Sequence, residues 1–196
     1  MASSSGSGSS SDSSPAPIKA LVLDFDSTIS TPIFLKRANC YCVADNVALF
    51  GTMTQEEVIA NLGGPDRVAV LAELLSALSR KGVVLHIVSI GHKAAILPHL
   101  RASGLSQFFA EERIWGQDCR ELRDLSFVKG HLIDRYIMRP NDWRAEDVLF
   151  VDDSKDHIEK AGPICRTLLV LSKATVGGMS DYEFAAIRAA AGLGPA

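Results

Sequence analysis

The chain has no cysteine pattern that would hold zinc. Its four cysteines are Cys40, Cys42, Cys119 and Cys165. Cys40 and Cys42 are closer than the two-to-four-residue spacing of a zinc pair, and no second pair answers them. Reduced thiols in a cytoplasmic protein are the expectation. A basic excess is also missing. The 20 Lys and Arg against 23 Asp and Glu give a net charge of −3, with no basic stripe, so the electrostatic footprint of a nucleic-acid binder is absent. No apolar run approaches the ~18 residues of a membrane span. Neither nucleic acid nor membrane is therefore an expected partner. Residues 1–17 lack almost everything that folds. They are rich in Ser and Gly, with one acid and two prolines, and cannot bury enough apolar surface to offset the entropy of ordering, which predicts a disordered tail. They also lack the apolar core of a secretory signal and the arginines of a transit peptide. Residues 18–196 remain as one domain, long enough for a sizeable core.

What the chain does have is concentrated in residues 18–28. A run of branched apolar residues, Ile18 to Leu23, ends abruptly in Asp24 and Asp26, followed by Thr28. Such a run predicts a strand buried on both faces, because parallel strands covered by helices lose the apolar/polar alternation. Charges belong at the carboxyl end of such a strand, where open α/β sheets place their ligand crevice. Two acids this close repel unless a cation offsets them, and carboxylate oxygens suit Mg²⁺. A second apolar run, Val83–Val88, ends at Ser89, followed by Ile90 and Gly91. Lys129 opens an amphipathic stretch. A third run, Val148–Val151, ends at Asp152 and Asp153.

The order D-x-D-x-T, then Ser, then Lys, then D-D resembles the haloacid dehalogenase superfamily, over roughly residues 18–175. The resemblance implies a Mg²⁺-dependent phosphatase acting on a phosphorylated small molecule or a phosphoprotein. Asp24 would be the nucleophile and form an aspartyl-phosphate; Asp26 would be the general acid and base. Thr28, Ser89, Ile90, Gly91 and Lys129 would bind phosphate, the backbone N–H groups around Ile90 and Gly91 acting at a helix start. Asp24, Asp26, Asp152 and Asp153 would serve the metal, Asp26 through its carbonyl, Asp153 directly and Asp152 through water. The family's dehalogenases lack the second Asp of the first motif. The family often has Asp or Asn four residues after the direct ligand; here that position is His157, with Asp156 one residue early. A cap domain has no room between Ser89 and Lys129, so a small flap or lid within 29–64 is expected, over an open site. Self-association is left open. The competing readings are a phosphorylatable regulatory module and a catalytically silent scaffold of the same fold.

The remaining pattern predicts alternating strands and helices, an α/β Rossmann-like parallel sheet with helices on both faces. Thr54 and Glu57 form a capping box before a short helix. Val68, Leu71, Leu75 and Leu78 mark the clearest helix, with Pro65 at its start and Gly82 past its end. Gly91 to Ser103 reads as a helix disputed by Pro98, which predicts a kink or a late start. Further helices are expected over Ser126–Ile137, Ser154–Ala161 and from Ser180, and further strands over Glu112–Trp115, Asp147–Val151 and Arg166–Leu171.

Overall fold

The computed structural model describes residues 16–33, 53–171 and 177–194. Within them, five parallel strands form one sheet, in the order β3-β2-β1-β4-β5. The central strand β1, Ala20–Leu23, is the apolar run before Asp24, and all four residues are fully buried. Alternate residues of β1, β2 (Val84–Val88) and β4 (Val148–Asp152) serve two cores. Leu21, Leu23, Leu85, Ile87, Leu149 and Val151 face one side. There they meet Leu71, Leu75 and Leu78 of α2 (Pro65–Arg80), Ile96 and Leu100 of α3 (Lys93–Ala102), and Ile187 of α7 (Asp181–Ala190). Ala20, Val22, Val148 and Phe150 face the other side. Leu122 of α4 (Arg120–Asp124), Leu132 of α5 (Lys129–Leu132) and Ala161 of α6 (Lys155–Ala161) cover them. A sheet buried on both faces explains why its strands read as unbroken apolar runs.

The chain moves outward from β1 to β2 and then β3 (Ile114–Trp115), and returns to the opposite side of β1 for β4 and β5 (Arg166–Leu169). This reversal opens a crevice at the carboxyl ends of β1 and β4. Asp24 and Asp152 stand at those ends.

After Asp24 the chain makes one π-type turn, Phe25–Ile29, in which Ser27 takes a φ of 58° and the Ser30 N–H closes onto the Phe25 carbonyl. The short helix α1, Gln55–Asn61, carries the expected capping box of Thr54 and Glu57. Its last residue meets the π-turn segment: the Thr31 N–H and hydroxyl both donate to the Asn61 carbonyl, at 2.7 and 3.0 Å. Arg67, on the first turn of α2, donates to the carbonyls of Thr28, Ile29, Leu62 and Met179 at 2.6–3.3 Å. Burial lowers its pKa to about 10. Gly178 is needed there, at a φ of 78°, because a Cβ would lie 2.5 Å from Arg67 Nη2 and 2.7 Å from the Ser30 carbonyl.

Several boundaries differ from the sequence reading. The helix expected over Gly91–Ser103 starts at Lys93 and runs through Pro98. The helix expected from Ser126 starts at Lys129, because Ser126 and Phe127 have φ of 53° and 61°, outside helical space. It then widens to π-type geometry over Ile133–Met138. The short α4 was not anticipated. The predicted tail lies outside the described residues as far as residue 15, and so does residues 34–52 of the segment expected to form a flap or lid. Among the described residues, no helix is long and apolar enough to cross a membrane.

Candidate active site

Asp24 continues β1 by one residue; its N–H still bonds the Val151 carbonyl at 2.9 Å, which fixes the carboxylate beside the end of β4. Asp152 is the last residue of β4, and its carbonyl accepts from the Val170 N–H. Between the two carboxylates lies Lys129. The tight reversal at Ser126 and Phe127 delivers it as the first residue of α5. Gly130 lets that helix press against α6, since a Cβ there would lie 3.2 Å from Ala161 Cα. The Lys129 side chain is 2 % exposed, and its Nζ donates to Asp24 Oδ1 at 2.6 Å and to Asp152 Oδ2 at 2.7 Å.

The carboxylates in this cluster are not equivalent. Burial disfavours charge on Asp152, but His157 Nδ1 at 3.2 Å, Lys129 and the Ser154 N–H at 2.7 Å together hold its pKa below the usual range. Asp24 is raised to about 6, chiefly by burial, with Lys129 opposing and Asp152 assisting. Asp26 is raised to about 7, by burial first and then by Asp24. Its Oδ1 is buried without a hydrogen-bond partner among the described residues, and its Oδ2 leaves no room for a Cβ at Gly91, which would lie 2.4 Å away. Burial pulls the Lys129 pKa down, but Asp24 and Asp152 outweigh it and the net shift is upward. Two acids thus face each other with pKa values pushed towards neutrality while a third stays ionised against the lysine.

Ser89 is buried at the end of β2. Its N–H donates to the Trp115 carbonyl at 2.9 Å, and its Oγ accepts from the Gly91 N–H at 3.1 Å. Ser89, Ile90 and Gly91 form one wall of a cavity of about 200 Å³; Asp24, Asp26, Lys129, Asp152 and Asp153 line the rest with Ser27, Gln117, Ser154 and His157.

No family model matches the sequence, and no curated protein is a match to it. Solved structures do match. A HAD family hydrolase from Deinococcus radiodurans R1, with bound phosphate and sodium, superposes with a TM-score of 0.54 at 19% identity, over 92% of this chain and 100% of that one. An L-2-haloacid dehalogenase matches with a TM-score of 0.53 at 14% identity, over 88% of this chain and 100% of its own. DsGPDH of Dunaliella salina matches with a TM-score of 0.53 at 15% identity, over 85% of this chain but only 28% of that one. The fold is that of the haloacid dehalogenase-like hydrolases.

Within this haloacid dehalogenase-like fold, the structure brings together Asp24, Asp26, Ser89, Ile90, Gly91, Lys129, Asp152 and Asp153 around one cavity. Thr28 stands apart: it is fully buried, does not line the cavity, and uses its carbonyl to accept from Arg67 and the Met179 N–H. His92 is buried and does not line the cavity either. His157 contacts Asp152, whereas Asp156 is exposed and pairs with Lys160. The expected helix start at Ile90 and Gly91 is corrected. The first helical N–H groups belong to Lys93 and Ala94, and the Asp118 carboxylate accepts from both, at 2.8 and 3.4 Å. Sequence reasoning missed Gln117 and Asp118. The signal was a polar pair just past the carboxyl end of the third strand.

A cation fits the donor set. One carboxylate oxygen from each of Asp24, Asp152 and Asp153 lies within 4.8 Å of the others, all hard oxygen donors, and Lys129 alone does not balance the local acids.

Proposed function

We propose that the protein is a Mg²⁺-dependent phosphatase acting on a phosphate monoester, carried by a phosphorylated small molecule or a phosphoprotein. The observation that carries this reading is Asp26. It is a second carboxyl lining the same cavity as Asp24, its Oδ1 buried without a hydrogen-bond partner among the described residues; burial and the neighbouring Asp24 raise its pKa to about 7, which suits it to giving and retrieving a proton at neutral pH. A dehalogenase needs no such acid, because a halide leaves without a proton.

Asp24 attacks phosphorus with a carboxylate oxygen. The bond to the leaving oxygen breaks while the Asp24–phosphorus bond forms, and Asp26 gives its proton to the leaving oxygen. Asp26, now ionised, takes a proton from a water that attacks phosphorus, which returns the Asp24 carboxylate and releases phosphate. Lys129 holds Asp24 Oδ1 in place and keeps it ionised against the pull of burial. The Ser89 Oγ already accepts from Gly91, so its proton is free to be donated to a phosphate oxygen. Asp24, Asp153 and the Asp26 carbonyl would hold Mg²⁺, with Asp152 behind them; when bound, the ion supplies positive charge against the transferring oxygens.

The test is turnover of p-nitrophenyl phosphate with Mg²⁺, with Asp24→Asn as blank and a 2-haloacid as the counter-substrate. Hydrolysis that requires Mg²⁺ and Asp24 is expected. Halide release without phosphate release would overturn the reading.

A further inference from the structure

The wall that faces the phosphate in the proposed reaction is held only in part by its own residues, through the Gly91 N–H on the Ser89 Oγ. His92, the residue before α3, offers no side-chain cap to the helix. The capping is done from another loop. Asp118, after β3, accepts from the Lys93 and Ala94 N–H groups. The backbone of the same loop joins at two more points: the Gln117 N–H donates to the Gly91 carbonyl at 3.0 Å, and the Trp115 carbonyl accepts from the Ser89 N–H at 2.9 Å. Gly116 permits this seating, because a Cβ there would lie 2.4 Å from the Lys93 nitrogen and 2.8 Å from the Gly91 carbonyl. The contacts cover both ends and the middle of Ser89–Lys93.

We infer that Asp118 is a positioning residue for phosphate recognition: it acts through the backbone of Gly91–Lys93 to set where Ser89, Ile90 and Gly91 point. The inference rests on the phosphatase reading. It has two physical parts. Asp118 occupies the first N–H groups of α3, so the helix terminus itself is not offered to phosphate, and an anion is directed to the loop before it. Asp118 also fixes the distance between that loop and Asp24, and in-line transfer tolerates little displacement of the groups that hold the substrate. Asp118 does not line the cavity and touches no reacting atom. The neighbouring Gln117 does line it, so the loop that braces the wall also contributes to it.

The experiment compares Asp118→Ala and Asp118→Asn with the wild type in the full chain. It measures kcat and KM for p-nitrophenyl phosphate, competitive inhibition by inorganic phosphate, and melting temperature. Alanine removes the acceptor, and kcat/KM should fall ~10- to 100-fold, with weaker inhibition by phosphate. Asparagine keeps an oxygen acceptor of the same reach without the charge, and should recover most of both. A merely structural role would lower the melting temperature of the alanine variant and leave the phosphate inhibition constant where it was; that result overturns the inference. Tighter phosphate binding in both variants also overturns it, because it would mean the Asp118 charge repels substrate and its geometry is immaterial. If the alanine variant fails to fold, Asp118→Glu asks the same question, keeping the charge but not the 2.8 Å reach. Failure of the wild type to hydrolyse the substrate would defeat the phosphatase reading, and this inference with it. Wild-type turnover with an unaltered Asp118→Ala would defeat the inference alone.

Discussion

In the presence of chelator, Asp26→Asn should stabilise the protein at about pH 8 and leave it nearly unchanged at about pH 4. The carboxyl of Asp26 is raised from 3.8 to about 7, first by burial and then by Asp24. Between those values the folded protein holds a proton that the unfolded chain has released. Stability of the wild type therefore falls as pH rises through this window, and levels off above the folded value. The displacement corresponds to about 4 kcal/mol once Asp26 is fully ionised. Asparagine keeps the shape and has no proton to lose, so the difference between variant and wild type should open from near zero to a few kcal/mol across the window. Urea unfolding followed by tryptophan fluorescence at a series of pH values would measure it. Adding Mg²⁺ should shrink the gap at high pH, because a cation offsets the ionised carboxylates. A difference that stays below ~0.5 kcal/mol at every pH, or an asparagine variant less stable than the wild type at about pH 8, would refute the reasoning.

Lys129→Ala leaves Asp24 and Asp152 buried with no cation between them; a loss of ~3–5 kcal/mol at neutral pH is expected, shrinking as acid protonates the pair, by the same unfolding assay. An equal loss at low pH would show that lost packing of the buried lysine side chain dominates instead. Asp153→Ala should raise the Mg²⁺ concentration for half-maximal activity more than Asp152→Ala. Asp152→Ala should lower the melting temperature more, since it strands Lys129, the Ser154 N–H and His157 together. Equal metal dependence in the two variants would reverse the assignment of the direct ligand.

The sheet was legible because its three central strands are short apolar runs, and each stops at a charged or polar residue that lines the crevice, Asp24, Ser89 and Asp152. The parts that were not legible depend on backbone conformation. Nothing in a list of residues shows that Ser126 and Phe127 take positive φ, yet this turn, with Gly130, carries Lys129 inward to 2 % exposure. The late start of α3 was hidden for a related reason: its capping acid, Asp118, lies in a different loop, where no local capping pattern could reveal it. Thr28 belonged to the motif by position, but it is fully buried within the π-type turn after Asp24 and does not line the cavity. His157 stood at the expected offset from Asp153, and only coordinates could show that it leans on Asp152.

The bond between Thr31 and Asn61 joins buried residues thirty positions apart. The two segments are tied at one knot, with Arg67 gripping the chain on either side at the Thr28 and Leu62 carbonyls. Anything spliced between those two points hangs from a closed ring. Lengthening such a ring is thermodynamically mild, about 0.6 kcal/mol for each doubling. Lengthening or shortening the chain between Thr31 and Asn61 should therefore leave Asp24, Lys129 and Asp152 at their spacing, because the tie that closes the ring is made by residues outside the change.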